Sequence, residues 1–456
     1  MNAADARRIH LIGIGGAGMS ALAQLLHARG WQISGSDREQ SPMTELLASQ
    51  GIAIQIGHKP DWVTRADIVV YSSAVGESNP ERRWAGEHGV VQVRRAVLLG
   101  DVMKRSYSIG VSGTHGKTTT TALIGHLLSE AGMDPSVLVG GLIREKGTNA
   151  RIGESNVMIV EADEYDRSFL ALHPDAAIVT NIDADHLDCY QDIDEIAQAF
   201  AQYVRALPFD GVLVACTDDE RVRDVCTATR CRVVTCGLGN GVRYRADGCR
   251  SSGGGTDFDV SVDNRYVATV HLPLPGRHNV LNALAALTMA CEHGVDPARA
   301  AGFLGTFGGV RRRFETAGCA AGVTVVDDYA HHPAEIAATL QAAATMGYRR
   351  IVAVFQPHLY TRTRDHLDAF ARALAPADVV FVAPIYRSRE EIIEGVRSQG
   401  IVDRLVAGGH GSATGIDDLE GAVDGVVAML QEGDGVIVMG AGDIWMLCAR
   451  ILERLQ

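Results

Sequence analysis

The segment Gly113-Thr114-His115-Gly116-Lys117-Thr118-Thr119 carries the residues best suited to chemistry in this 456-residue chain. Glycines, a lysine and adjacent hydroxyls at this spacing fit a nucleotide phosphate. Backbone N–H groups and the start of a helix face the anion, a compact ammonium neutralises it, and a hydroxyl can ligate magnesium. The lysine sharpens the signal. Of 42 Lys and Arg residues only Lys59, Lys104, Lys117 and Lys146 are lysine, and a point charge fits inside a phosphate loop better than a planar guanidinium. The strict phosphate-loop pattern has glycine where Val111 stands, so the match is a variant. A threonine-rich helix start on a surface loop is the bland alternative.

A second glycine turn, Gly13-Ile14-Gly15-Gly16-Ala17-Gly18, has the GxGxxG spacing, with Asp37 about twenty residues on. That fingerprint suits a diphosphate, whether of NAD, of FAD or of a nucleotide sugar, and a ligand-free structural turn has the same pattern. Acidic residues and a histidine follow two apolar runs: Glu161-Ala162-Asp163-Glu164 and Asp183-Ala184-Asp185-His186. Glu161 and the Thr118 hydroxyl suit Mg²⁺ held jointly with phosphates. His186 is a second metal candidate or a hydrogen-bonded turn histidine, and Asp163, Glu164 and Asp166 are otherwise a solvated acidic turn. Arg311-Arg312-Arg313 can send one or two guanidinium groups to a phosphate. His331-His332 precedes Pro333 at a helix start; zinc is a possible reading, but neither cysteine nor a third histidine stands at finger spacing. His358, Arg362 and Arg364 flank a strand end and suit a small carboxylate.

These residues need strands and helices to position them, and three blocks supply the pattern. From about 7 to 105, Ile9–Ile14, Trp31–Ser34, Ile52–Ile56 and Ile68–Ser72 read as strands and Ala17–Ala28 as a helix. From about 106 to 316, Tyr107–Val111, Val157–Val160 and Ala176–Thr180 read as buried strands, and Ala122–Leu128 and Asn279–Cys291 as helices. Arg243–Leu272 alternates as antiparallel hairpins do, with Ser251–Gly255 a loop tip. From about 317 on, the strands Val323–Val326, Ile351–Phe355, Val379–Val382 and Val436–Met439 each run into polar residues. Each block is expected to open strand–turn–helix, as in parallel sheets covered by helices.

A formal net charge of −13 argues against non-specific nucleic-acid binding. No apolar run reaches membrane-spanning length, and the polar stretch Met1–Arg8 does not resemble a signal peptide. Nine cysteines without a CxxC pair read as reduced thiols of a cytoplasmic protein.

Together these residues resemble the Mur ligases over nearly the whole chain. The motifs are His10 to Ser20, Gly113 to Thr120, Glu161 to Asp166, Asn181 to Asp188, Gly276 to Asn279, Asp327 to Pro333, and Phe355 to Arg364. The resemblance implies an α/β chain of three domains. They are a Rossmann-like UDP-sugar-binding domain over 1–105, a P-loop-type ATP-binding domain over 106–316, and a Rossmann-like amino-acid-binding domain over 317–456. It places Gly15, Gly16, Gly18, Ser20, Asp37, His58, Ser73 and Arg95 around the UDP-sugar. Gly113, Thr114, His115, Gly116, Lys117, Thr118 and Thr119 hold the ATP phosphates, and Asn279 or Asn282, Arg312 or Arg313, and Asp327 reach the rest of the nucleotide. Thr118 and Glu161 ligate one Mg²⁺ and His186 a second, and Lys117, Glu161 and His186 are the catalytic set. Tyr329, His331, His358 and Arg362 form the amino-acid pocket.

Within the family the chain is most similar to members that join L-alanine to UDP-N-acetylmuramate with ATP in cytoplasmic peptidoglycan synthesis. Such an enzyme is expected as a monomer or homodimer without nucleic-acid or membrane partners, its third domain closing on the second. Ligases that recycle a murein tripeptide are the runner-up, although their first glycine turn normally differs. An NAD-dependent dehydrogenase and a non-catalytic nucleotide-binding regulator are the remaining alternatives. Two departures are visible. Leu359 stands where many alanine-adding members carry arginine, and no lysine follows Lys146, so the carbamylated lysine of several sister ligases has no counterpart.

Overall fold

A computed structural model describes residues 8–144, 147–187, 189–388 and 390–456. Lys146 and Asp188, the last residue of the Asn181–Asp188 motif, lie outside the described residues. The chain forms two compact units. One comprises Met1–Asp247, Val260–Ala268 and Leu281–Phe307; the other comprises Gly248–Asp259, Thr269–Val280 and Gly308–Gln456.

The first sheet contains β1 (Arg8–Ile12), β2 (Gln32–Asp37), β3 (Ala53–Ile56), β4 (Ile68–Tyr71) and β5 (Val91–Arg94). Its order is β3-β2-β1-β4-β5 and every pairing is parallel. The order reverses at β1, and in open parallel sheets ligands bind outside the carboxyl end of the strand where that happens. Gly13–Gly18 occupies that point and leads into the helix Ala17–Ala28, whose bounds match the sequence expectation.

The second sheet contains β6 (Tyr107–Ser112), β7 (Ser136–Ile143), β8 (Thr148–Arg151), β9 (Val157–Glu161), β10 (Ala176–Val179), β11 (Val212–Cys216), β12 (Arg232–Gly237), β13 (Tyr244–Ser252), β14 (Gly255–Val262) and β15 (Arg265–Leu272). The order is β15-β14-β13-β12-β11-β10-β6-β9-β7-β8. Parallel pairing on both sides puts β6 between β9 and β10, so the acidic ends of the two flanks border the glycine turn. The helix after that turn runs over Lys117–Glu130, a turn earlier than its apolar stretch suggests. Its opening threonines are poor helix formers because β-branching restricts χ1. All four, Thr118 to Thr121, are buried here, and packing outweighs propensity.

The third sheet contains β16 (Glu315–Ala320), β17 (Val323–Asp328), β18 (Arg350–Phe355), β19 (Val379–Val382), β20 (Ala413–Gly415) and β21 (Asp434–Met439), ordered β16-β17-β21-β18-β19-β20. This block does not open strand–turn–helix as expected. It opens on an antiparallel hairpin, β16–β17, closed by Ala321-Gly322, both with positive φ. Two-residue turns of that kind match the twist of paired strands. Beyond the hairpin the pairing is parallel. Asp328 stands opposite Met439, and Phe355 opposite Met439 and Val382, so the carboxyl ends line up along one edge. The nine cysteines form no disulfide among the described residues.

Candidate active site

In the first unit the N-terminal glycine turn is fixed by side chains that leave its floor polar. Gly15 N–H donates to the Asp37 carboxylate at 2.8 Å, tying the turn to the end of β2. The Arg95 guanidinium lies against Gly18: a Cβ there would be 2.9 Å from one of its nitrogens and would make it shift. Ser20 is buried and its hydroxyl faces the helix, donating to Gly16 and Ala17 carbonyls and accepting from Asn149. Ser73 is exposed just past β4. His58 Nδ1 lies 2.9 Å from Glu81, which also accepts from Ser36 Oγ and contacts His10. Burial raises the cost of ionising Glu81, yet hydrogen bonds from His10, Ser36 and His58 together hold its carboxyl below the usual value. Glu81 was not among the sequence candidates. Following Asn79-Pro80, it reads as an ordinary acidic residue in the first turn of a capped helix.

The second glycine turn is strapped to the segment after β10. Thr114 N–H donates to the Asn181 carbonyl, His115 N–H to the Asn181 side chain, and Thr180 Oγ1 to the His115 carbonyl. Gly116 has φ +84, and a Cβ would lie 2.3 Å from Asn282 Oδ1, so both conformation and space demand glycine. Asn282, the second of the two candidates on the helix Arg277–Glu292, thus abuts this turn.

Lys117 Nζ sits at the base of the turn, donating to the carbonyls of Gly113 (2.8 Å) and Thr114 (3.1 Å) and to Glu164 Oε2 (2.7 Å). Burial pulls its pKa down, but Glu164, Asp163 and Glu161 outweigh that and hold it above the ordinary lysine value. Glu164 is buried rather than part of a solvated acidic turn. Tyr190 donates to its carbonyl, and the backbone then reverses through Asp166 and Arg167, both with positive φ.

Glu161 ends β9 and accepts from Gly140 N–H at 2.8 Å and from Thr118. Burial raises its pKa, as it does that of Glu164. Ligand atoms of Asp163, Glu164 and His186 lie within 4.8 Å of one another. Glu164 Oε1 is buried without a hydrogen-bond partner, with His186 Nε2 at 3.7 Å. An ionised oxygen left so is costly unless a cation meets it. The paired Thr118 and Glu161 and this orphaned oxygen fit a hard divalent cation.

Arg95 lies at the first turn and within electrostatic reach of the acidic end of β9. Its guanidinium lies on Gly18, burial lowers its pKa, and Asp163 and Glu161 at the second turn oppose that shift.

In the second unit, Tyr329, His331, His358 and Arg362 gather at the edge where the parallel strands end. Tyr329 and His331 rings meet edge-on at 5.4 Å, and His331 and His358 at 5.8 Å. His331 Nδ1 is 3.0 Å from the Tyr329 carbonyl and 3.3 Å from Glu335; both are acceptors, so Nδ1 carries the proton. His332 caps the helix Pro333–Ala344, a structural task. Arg362 is buried in the helix Tyr360–Asp365. Arg312 and Arg313 both lie over the Tyr329 ring, at 4.9 and 5.2 Å. Arg312 also donates to the Gly440 and Gly442 carbonyls and pairs with Asp327 at 3.5 Å. Arg311 is exposed. Asn279 donates to the Pro275 carbonyl.

Family models of the Mur ligases match three successive stretches: the Mur ligase family catalytic domain at 8–107, the Mur ligase middle domain at 111–290, and the Mur ligase glutamate ligase domain at 312–442. The chain belongs to the Mur ligase family. It is 43% identical over 453 residues to a UDP-N-acetylmuramate–L-alanine ligase of Salinibacter ruber, covering 99% of this chain and 95% of that protein. The crystal structure of the UDP-N-acetylmuramate–alanine ligase of Thermotoga maritima superposes with a TM-score of 0.85 at 32% identity, covering 98% of each chain. That of a murein peptide ligase from Psychrobacter arcticus gives 0.74 at 26% identity, again over 98% of each.

Proposed function

We propose that this protein joins L-alanine to the lactyl carboxylate of UDP-N-acetylmuramate at the expense of ATP, in cytoplasmic peptidoglycan precursor synthesis. The observation that carries the reading is Arg95, seated on the first glycine turn and within the field of Glu161 and Asp163 at the second. It supports reading the first turn as the UDP-sugar turn and the second as the phosphate turn, both in one unit. Three functional stretches follow, 1–105 for the UDP-sugar, 106–316 for ATP and 317–456 for the amino acid. A dehydrogenase would use the first turn alone and leave Lys117 without a task.

In this reading the lactyl carboxylate attacks the γ-phosphorus of ATP, ADP leaves, and an acyl phosphate forms. The α-amine of L-alanine adds to the acyl carbon, and the tetrahedral intermediate expels phosphate as the amine loses a proton. Bringing a carboxylate against a triphosphate costs about 4 kcal/mol per charge pair at ~4 Å and an effective dielectric near 20. Lys117 offsets part of that as a fixed charge, while Gly113 to Thr119 hold the phosphates and Asn279 or Asn282, Arg312 or Arg313, and Asp327 the rest of the nucleotide. Mg²⁺ held by Thr118 and Glu161, with a second ion at His186, would supply the remaining neutralisation. Gly15, Gly16, Gly18, Asp37, His58, Ser73 and Arg95 orient the UDP-sugar, with Ser20 behind the turn. Tyr329, His331, His358 and Arg362 hold L-alanine, Arg362 facing its carboxylate. Positioning and charge stabilisation carry such a transfer, so a nucleophilic side chain is not required.

The test is phosphate release from ATP with UDP-N-acetylmuramate and a panel of amino acids and murein tripeptides. Release is expected with L-alanine and to depend on both substrates. Release with the tripeptide and not with L-alanine would instead identify the recycling reaction, and an NADH absorbance change would refute a ligase.

A further inference from the structure

The row Tyr329–His331–His358 continues to a fourth ring that the sequence motifs did not single out. Tyr386, in the segment after β19, lies over His358 with centroids 5.9 Å apart and planes 15° from parallel. The ring also lies close to Gly442, where a Cβ would come within 2.5 Å of it. Backbone bonds fasten the same segment to the turn carrying His358. Tyr386 N–H donates to the Pro357 carbonyl at 2.8 Å, and Leu359 N–H to the Tyr386 carbonyl at 2.9 Å. Glu390 accepts from Thr361 N–H and from its hydroxyl. The strap holds Leu359 at φ +70, a conformation costly to a residue with a Cβ. Tyr386 keeps 36% of its surface exposed, beside the half-buried imidazole.

We propose that Tyr386 determines amino-acid size specificity: its clamped ring forms the wall that stops side chains larger than methyl from seating beside His358. The inference rests on the reading that His331, His358 and Arg362 hold L-alanine. A ring stacked on an imidazole, close to Gly442 and fastened through its own backbone yields less readily to extra methylenes than a free side chain does, so a larger amino acid pays to displace it. Discrimination per methylene in a fixed pocket is on the order of 10–200-fold.

The experiment compares kcat/KM for L-alanine and L-valine, by phosphate release, in the full-length parent, Tyr386→Ala and Tyr386→Phe. Tyr386→Ala is expected to raise the valine-to-alanine ratio at least ~10-fold, with the KM for alanine rising more than kcat falls. Tyr386→Phe is expected to keep the parent ratio, because it keeps the ring. A role confined to folding would lower both activities together, and an unchanged ratio in Tyr386→Ala overturns the inference while leaving the ligase reading intact. A parent enzyme that ignores L-alanine overturns both.

Discussion

Lys117 is held by two loop carbonyls and the buried Glu164 carboxylate, so its three N–H donors are aimed by the loop and by the segment after β9. Replacement of Lys117 by Ala should lower turnover at least ~100-fold with an unchanged circular dichroism spectrum, as expected for loss of a preorganised charge. Near-normal ADP release from that variant would remove Lys117 from the reaction. Asp327 gives a prediction about pH. Burial is the largest cause of its shift, Arg312 works against it, and the carboxyl is pushed up to about 6. A folded value above the unfolded one means that the native state keeps a proton the unfolded chain gives up. Stability therefore falls as pH rises through the window from ~4 to ~6 and levels off above it, by no more than about 3 kcal/mol. Asp327→Asn should remove that slope. Urea midpoints measured at pH 5 and pH 7 check it: the variant should gain on the parent toward pH 7, and a constant difference would assign the burial cost elsewhere. Legibility differed among residues. Lys117 stands out because it is one of four lysines beside a glycine turn, whereas Glu164 sits in a run of acids that looks solvent-facing. Its burial goes with the reversal at Asp166 and Arg167, the Tyr190 bond and the Lys117 contact, which depend on packing rather than spacing.

The helix Ala17–Ala28 follows the first glycine turn, and a polar clamp joins it to β8. Asn149, buried, donates to the Ala17 carbonyl at 2.6 Å and to Ser20 Oγ at 2.8 Å and accepts from Gln24 at 2.9 Å; Thr148 donates to the other end of Gln24. Truncating Asn149 to Ala strips partners from several buried polar atoms at once, each costing about 1–3 kcal/mol. The expected result is a lower urea midpoint together with a raised KM for UDP-N-acetylmuramate, since Ala17 belongs to the turn proposed to hold that ligand. A variant of parental stability and KM would show the clamp to be incidental. Nothing in the sequence pairs Gln24 with Asn149, 125 positions apart. The helix itself is legible because its apolar spacing and the glycine turn agree on where it begins. The β16–β17 hairpin was missed for the opposite reason: β16 carries alanine, glycine and cysteine in place of an apolar alternation, and only its partner β17 reads as a strand.

The two compact units divide the proposed tasks. Residues assigned to the UDP-sugar, from Gly15 to Arg95, lie in the first, and those assigned to L-alanine, from Tyr329 to Arg362, in the second. Each ligand should therefore leave its own footprint in amide exchange. At a hundred times its Kd a ligand stabilises its binding state by about 2.7 kcal/mol, an exchange slowing on the order of 100-fold where exchange follows that state. UDP-N-acetylmuramate is expected to slow peptides spanning 13–20, 32–58 and 91–103. L-alanine, added to enzyme already saturated with the UDP-sugar and a non-hydrolysable ATP analogue, is expected to slow those spanning 329–332 and 355–366. Alanine protection confined to the first glycine turn, with 355–366 unaffected, would dissolve the proposed division. Slowing at 384–390 in the same alanine titration would tie the Tyr386 strap to the pocket, because that segment is joined to the turn carrying His358 by the stacked ring and by backbone bonds.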